Sequence, residues 1–349
     1  MLTFAASVFV FGLLVFFHEL GHFFVAKMVG IKVIEFSLGF GPKIAGATGG
    51  ETQYNVRLLP LGGFVRMAGM EPSEEIEEGD ELRGFNKKTV GQRIAVIFAG
   101  PFMNFLLAAV LLATFFAFQG VPDGVVTIDT LPDSPAMQGG IMPGDKILAI
   151  NGQQIENQED LIGQISARPN QDIEITVLRN NVEQQLNIRT IADESGAGKI
   201  GFVVGPGTRK LGLIQSLGQG LAWTGRFTFL ILDFLSKMIF GQAPPDFGGP
   251  VRVVSEIGKA AEVGFFFLLQ LAAFLSINLG LFNLFPIPAL DGSRILFLFW
   301  EKLRGRPVDP VKENFIHLIG FGLLILLMVV ITYNDILSIF AFQNVPGQN

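Results

Sequence analysis

The sequence predicts a polytopic α-helical membrane protein of about four transmembrane helices, with a β-hairpin in its first loop and an α+β domain inserted between the second and third helices. Three observations predict it. Half of the 349 residues are apolar, with 35 Phe against 2 Tyr, and the mean hydropathy is +0.48. Four apolar runs are each long enough to cross the hydrocarbon core, which takes roughly 20 helical residues at ~1.5 Å each. Between the second and third runs, short strand-like segments alternate with turn signals, as in a folded domain outside the bilayer.

The first run, Leu2 to Ala26, is interrupted only by the string HELGH. It lacks a basic leading region, so it reads as a retained span rather than a cleaved signal. The second, Ile94 to Phe118, carries no charge. The third, Val263 to Leu290, is also uncharged and is broken late by Pro286 and Pro288, since proline removes a helix hydrogen bond. The fourth is Phe315 to Tyr333.

In the 27–93 loop, YNVRLLPLGGFVRM (Tyr54 to Met67) reads as two short strands around a turn near Leu61-Gly62-Gly63. It is apolar for a loop. The acidic run from Glu71 to Glu81 reads as a solvated linker. The middle segment, 121–206, offers GVVTI, KILAINGQ, IEITVLR and QQLNIRT as strands. Within it, SPAMQGGIMPGDKILAINGQQI (Ser134 to Ile155) matches a PDZ domain of the type found in bacterial proteases. Such a fold accepts an extended peptide between strand and helix, so a peptide ligand of this domain and a role as spacer or size filter both stand open. Ala222 to Phe240 reads as a helix at the outer interface, because Arg226, Asp233 and Lys237 share one narrow arc. The expected division is therefore 1–120 (first membrane half), 121–206 (PDZ domain), 207–262 (linker with an interfacial helix) and 263–349 (second membrane half).

Charge orients the chain. The first loop holds Lys27, Lys32, Lys43, Arg57, Arg66, Arg83, Lys87, Lys88 and Arg93, and the loop after the third span holds Arg294, Lys302, Arg304, Arg306 and Lys312. Both are expected on the cytoplasmic side, with the middle domain and both termini outside. The net charge of −6 gives no footing for nucleic-acid binding. With no cysteine, disulfides, iron–sulfur clusters and thiolate zinc sites are excluded, and a transition metal must be held by imidazole and carboxylate.

The chain has three histidines, and two of them, His18 and His22, are four apart. On a helix they share one face and can reach one zinc ion, with Glu19 placed to take a proton from the attacking water. Ionisable groups are expensive in hydrocarbon, so their clustering there marks a functional site. A catalytic zinc needs a third protein ligand and an open position. Asp291, in NLFPIPALDG after the double-proline break, is the leading candidate and His317 the runner-up, with Glu35 and Glu51 as alternatives in the first loop. A membrane adaptor without catalysis and a metal transporter are the rivals. An adaptor has no use for Glu19, and uncharged second and third spans make a poor conduction route.

These strings together resemble the site-2 protease family of intramembrane zinc metalloproteases, most closely its RseP-like bacterial branch with a single PDZ domain. HELGH, FSLGFGP (Phe36 to Pro42), LPLGGFVRM (Leu59 to Met67), GPFMN (Gly100 to Asn104), GGPV (Gly248 to Val251) and NLFPIPALDG (Asn283 to Gly292) carry the resemblance over nearly the whole chain. It implies Zn2+ as cofactor, with His18, His22 and Asp291 as ligands and Glu19 as general base. It implies Asn283 as a contact to substrate backbone, Pro286 and Pro288 as shapers of an unwound segment, and Asn104 as a support of the site. The hairpin around Leu61, Gly62 and Gly63 resembles a membrane-associated β element that pairs with substrate. The implied activity is an endopeptidase, with water activated by zinc and Glu19. It would cut transmembrane segments of single-pass proteins, such as anti-sigma factors or signal-peptide remnants, in a bacterial cell membrane.

Overall fold

The computed structural model describes residues 1–70, 79–244 and 248–343. Of the expected acidic linker, residues 71–78 lie outside the described residues. The chain forms two compact units. One comprises Met1–Phe115 with Leu213–Asn349, and the other is Phe116–Gly212.

The first unit opens with α1 (Leu2–Met28), an apolar helix with no internal breaker. It ends where Gly30 takes the left-handed conformation, φ +71°, as glycine does past a helix terminus. Two strands follow, β1 (Val33–Gly49) and β2 (Thr52–Met67). This differs from expectation. Leu61-Gly62-Gly63 is not a turn between two short strands but lies within β2, and the reversal is at Gly50, φ +61°. The pairing explains why one strand reads as two. Residues 45–49 pair with 52–56 as a hairpin, whereas Phe36, Ser37 and Leu38 face Val65, Phe64 and Gly63 on one side and Tyr54, Asn55 and Val56 on the other. Long curled strands thus make four rows, with 63–67 as an outer row. Gly39 and Gly62, φ +89° and +114°, supply the bends that β-branched residues cannot. Phe36, Val65 and Met67 pack with Ala26 of α1 and Val96 of the next helix, which pins the sheet to the spans.

Helix α2 (Val90–Gln119) runs through Pro101. Gly21 of α1 lies so close to it that a Cβ would fall 2.2 Å from Ala99 O.

The second unit is an antiparallel sheet with two helices. In chain order it holds β3 (Val121–Thr130), α3 (Pro135–Gln138), β4 (Lys146–Ile150), β5 (Gln153–Gln154), α4 (Gln158–Ser166), β6 (Asp172–Arg179), β7 (Val182–Arg189), β8 (Ile191–Ala192), β9 (Gly198–Lys199) and β10 (Phe202–Arg209). The sheet order is β10-β3-β4-β6-β7, with β5 on β4. The four expected strand segments fall on β3, β4, β6 and β7, except that KILAINGQ, expected as one strand, ends as β4 at Ile150 and reverses into β5 at Gln153. Asn151-Gly152, both at positive φ, make the two-residue turn such dipeptides favour. Alternation buries Ile173, Ile175 and Val177 of β6 against Leu161 and Ile165 of α4. Ser134 and Asn157 cap the two helices through side-chain oxygens. Strand β10, which contains Gly205-Pro206-Gly207, was not among the expected strands. Its proline is tolerated at the sheet edge.

One buried ion pair holds this domain. Arg179 donates Nε to Asp145 Oδ1 at 2.7 Å and Nη2 to Oδ2 at 2.6 Å, and Met142 N–H donates to Oδ2 at 2.9 Å. Burial pushes the Asp145 carboxyl up, but the guanidinium and the amide outweigh it and hold it below the ordinary value. A depressed carboxylate stabilises the fold above its unfolded pKa of about 3.9 and loses that contribution as pH falls through the folded value. Asp145→Ala, which strands Arg179, is expected to destabilise the domain by about 3 kcal/mol at neutral pH. Hydrogen exchange at the Ile175 and Val177 amides of the intact chain checks this, and unchanged protection would refute it.

The remaining helices return to the first unit: α5 (Leu213–Ile239), α6 (Pro250–Val263), α7 (Phe265–Asn283), α8 (Asp291–Arg304) and α9 (Pro310–Gln343). The helix expected over 222–240 is α5, which begins nine residues earlier. Its Gly220 packs on Ala109 of α2, and Phe227 meets Phe274 of α7 edge-on at 4.3 Å. It carries the Asp233–Lys237 pair, one turn apart. Helix α6 replaces an expected linker. Its N-terminus is capped from afar, since the Asp335 carboxylate accepts from Gly249 N–H at 3.1 Å and Arg252 N–H at 3.0 Å, a partnership that local sequence cannot reveal. Gly264, φ +148°, separates α6 from α7.

The apolar run expected to reach Leu290 is helical only to Asn283, and residues 284–290 form a loop. Among the described residues, four helices are long and apolar enough to cross a membrane: Leu2–Met28, Val90–Gln119, Phe265–Asn283 and Val311–Leu337. They correspond to the four expected spans and extend past most of their ends, because helix geometry continues into polar flanks that hydropathy does not count.

Candidate metal centre

Helical spacing places His18 and His22 on the face of α1 that turns toward α2. Their Nε2 atoms are 3.2 Å apart. Asp291 Oδ2, from the start of α8, lies 3.2 Å from His18 Nε2 and 3.4 Å from His22 Nε2. A tetrahedral zinc ion with bonds of ~2.0–2.1 Å holds its ligand atoms about 3.3 Å apart. The observed triangle has that size. Among the described residues it is the one grouping of this kind. Asp291 Oδ2 is buried and accepts no hydrogen bond. A buried carboxylate oxygen without a donor is costly, and a cation between the three atoms satisfies it. The residues present therefore fit zinc.

The outer contacts orient the rings. His22 Nδ1 is 2.9 Å from Val96 O, so Nδ1–H donates to that carbonyl and Nε2 keeps its lone pair for the cluster. His18 Nδ1 is 3.1 Å from the fully buried Asn104 amide. The near atom is Asn104 Nδ2, while Oδ1 is buried without a partner; exchanging the two amide atoms lets Oδ1 accept from Nδ1–H, and His18 then also presents a bare Nε2. Asn104 is further held by the Ser276 hydroxyl, which donates to its backbone carbonyl at 2.8 Å.

Asp291 reaches the triangle because α7 stops at Asn283 and the loop folds back under α8. Ile287 N–H bonds Phe285 O at 2.7 Å, and Leu290 N–H bonds Ile287 O at 3.1 Å. The Ser293 hydroxyl donates to Leu290 O at 2.7 Å. Gly292 is required, since a Cβ there would lie 2.3 Å from both Leu284 O and Phe285 O.

A cavity of about 630 Å³ opens over the triangle. Its walls include Glu19, Asn283, Arg294, Asn314 and the row Gly63 to Met67. Of the expected site residues, His18, Glu19, His22, Asp291, Asn283 and Gly63 converge here. Gly63 is tight against the acid, since a Cβ would fall 3.1 Å from Glu19 Cγ. Gly62 packs on the Phe40 ring instead, and Pro286 and Pro288 lie outside the wall; the Leu61 side chain lies outside the described residues. The alternatives to Asp291 are engaged elsewhere. Glu35 accepts from Arg57 and Asn55, whose hydrogen bonds outweigh burial and hold its carboxyl below the ordinary value. Glu51 pairs with Lys27 and Arg83. His317 Nδ1 accepts from Ala289 N–H and is not in the triangle.

Gly100 is a site residue that sequence reasoning did not isolate. A Cβ on it would lie 2.3 Å from His22 Nε2 and 2.9 Å from His18 Cε1. Gly100→Ala is therefore expected to lower zinc affinity by about 100-fold or more, read by chelator competition on the purified chain. Wild-type affinity in this variant would mean that the two helices part without cost.

Residues 6–327 match the model of Peptidase family M50. A zinc metalloprotease, RasP, of Geobacillus kaustophilus is 36% identical over 95% of this chain and 97% of its own. The regulator of sigma-W protease RasP of Bacillus subtilis is 35% identical, over 97% of this chain and 99% of its own. A solved PDZ domain of an SdrC-like protein from Listeria innocua is 25% identical, covering 26% of this chain and 100% of that one, with a TM-score of 0.22. Matched from its first span into its last, the chain belongs to peptidase family M50, the site-2 proteases, and is a zinc metalloprotease.

Proposed function

We propose that the chain is an intramembrane endopeptidase that hydrolyses peptide bonds within the transmembrane segments of single-pass proteins. His18, His22 and Asp291 hold the zinc and Glu19 is the general base. The observation that carries the reading is the cavity, which unites the three-atom triangle, the Glu19 carboxylate and an outer β row among membrane-length helices.

The substrate's own physics explains the parts. A helix hides each amide in i→i−4 hydrogen bonds, so cleavage needs local unwinding. Each N–H and C=O freed in a water-poor setting costs several kcal/mol unless a partner meets it. The row 63–67 pairs with β1 on one side, and among the described residues no strand pairs with its other side. That edge can take an extended substrate as an added strand. Asn283, at the end of α7, offers an amide that can bond the same substrate backbone. Pro286 and Pro288 keep the following loop from continuing the helix.

Zinc bound at the triangle supplies a Lewis acid that polarises the scissile carbonyl and makes water acidic enough to attack near neutral pH. Glu19 takes the proton from the attacking water and passes it to the leaving nitrogen. Water enters from the side of the basic loops, which we place in the cytoplasm, with the PDZ-like domain outside the cell membrane. The Bacillus subtilis relative is named a regulator of sigma-W, which favours anti-sigma factors as substrates, with signal-peptide remnants as a second class. The outer domain then docks a peptide or excludes bulky clients before the membrane cut.

The test is cleavage of a tagged single-pass helix by the reconstituted chain, with the cut mapped by mass spectrometry. A scissile bond inside the apolar span, lost on chelation, is expected. A cut confined to residues outside the span, or one indifferent to chelator, would refute the reading.

A further inference from the structure

The geometry points to His317 as a positioning residue for the metal centre: its imidazole holds the turn that presents Asp291, and so ties the last span to the site. The inference rests on the reading of Asp291 as a zinc ligand. Ala289, two residues before Asp291, has φ +77°. This left-handed conformation is strained for a residue with a Cβ, and it persists only where its surroundings hold it. The Ala289 N–H donates to His317 Nδ1 at 2.9 Å. Nδ1 is therefore the bare nitrogen, and the proton sits on Nε2, which faces Glu313 Oε1 at 3.7 Å one turn earlier on α9. The Phe297 ring of α8 closes on the imidazole edge-on, with centroids 5.8 Å apart.

One turn beyond His317, Gly320 presses on the same loop. A Cβ there would lie 2.2 Å from Pro288 Cβ and 2.8 Å from Pro288 O. Helix α9 thus grips consecutive residues, Pro288 and Ala289. General packing does not account for this grip, since only 6% of the most apolar stretch of α9 is buried. A polar side chain in a membrane-length apolar helix needs a task, and fixing the ligand turn is one that its hydrogen bond performs.

Two variants of the full-length chain separate this role from packing. His317→Phe keeps a ring against Phe297 but has no acceptor. It is expected to lower zinc affinity, by chelator competition, and kcat on a tagged helix by about tenfold with KM unchanged. Glycine adopts φ +77° without strain, so in an Ala289→Gly background the same substitution is expected to lose only about twofold. Wild-type zinc affinity and kcat in His317→Phe, or an equal loss in both backgrounds, would overturn the proposal. Asp291→Ala is measured alongside. If it loses zinc while His317→Phe does not, the role of His317 fails alone. If it keeps zinc while His317→Phe loses it, the assignment of Asp291 fails as well.

Discussion

Glutamine in place of Glu19 is expected to lower peptide hydrolysis by about 10³- to 10⁴-fold while the chain keeps its zinc. The substitution preserves shape and removes only the capacity to accept a proton. Glu19 lies in the cavity wall beside His18 and His22 but is not one of the three atoms of the triangle. Loss of activity with metal retained is therefore the signature of a base, whereas parallel loss of metal and activity would make Glu19 a ligand. Turnover of a tagged single-pass helix, with zinc measured by mass spectrometry on the same preparation, distinguishes the two. Activity within tenfold of the unaltered chain would remove Glu19 from the mechanism.

The second large effect concerns Asp291. Structural zinc sites bind with roughly 10–16 kcal/mol shared among four ligands. Loss of one anionic ligand is thus expected to weaken zinc binding by about 10²- to 10³-fold in Asp291→Asn. The metal-free proteins should behave in the opposite sense. Without zinc, Asp291 Oδ2 is a buried oxygen that accepts no hydrogen bond, and replacing it with an amide removes a stranded charge. Metal-free Asp291→Asn should therefore unfold at a higher temperature than the metal-free parent, and the order should invert when zinc is added to excess. The same order with and without zinc would mean that the carboxylate does not meet the metal.

The legible parts of this chain were those written in local pattern. The spans follow from uninterrupted apolar runs, and β3, β4, β6 and β7 from strand-like segments between turn signals, although the turn at Asn151-Gly152 was read as part of a strand. His18 and His22 declared themselves by i,i+4 spacing in a chain with three histidines. What sequence could not supply depends on distant partners. Helix α6 is stabilised by Asp335, which lies on another helix. The turn expected at Leu61-Gly62-Gly63 became continuous strand because residues 33–38 run alongside it, and no local rule announces that neighbour. Gly100 matters because His22 lies where its side chain would be. The end of α7 at Asn283 was only half visible. The prolines signalled a break, but they follow it, and the loop starts before them.

Zinc-edge X-ray absorption on the purified chain, compared with Asp291→Asn and His317→Phe, decides whether His18, His22 and Asp291 hold the metal. The expected shell is two imidazole nitrogens with oxygen ligands at ~2.0–2.2 Å, no sulfur, a changed oxygen shell in Asp291→Asn, and the same set of ligand types in His317→Phe. A third imidazole that disappears in His317→Phe, or an oxygen shell indifferent to Asp291→Asn, would contradict it.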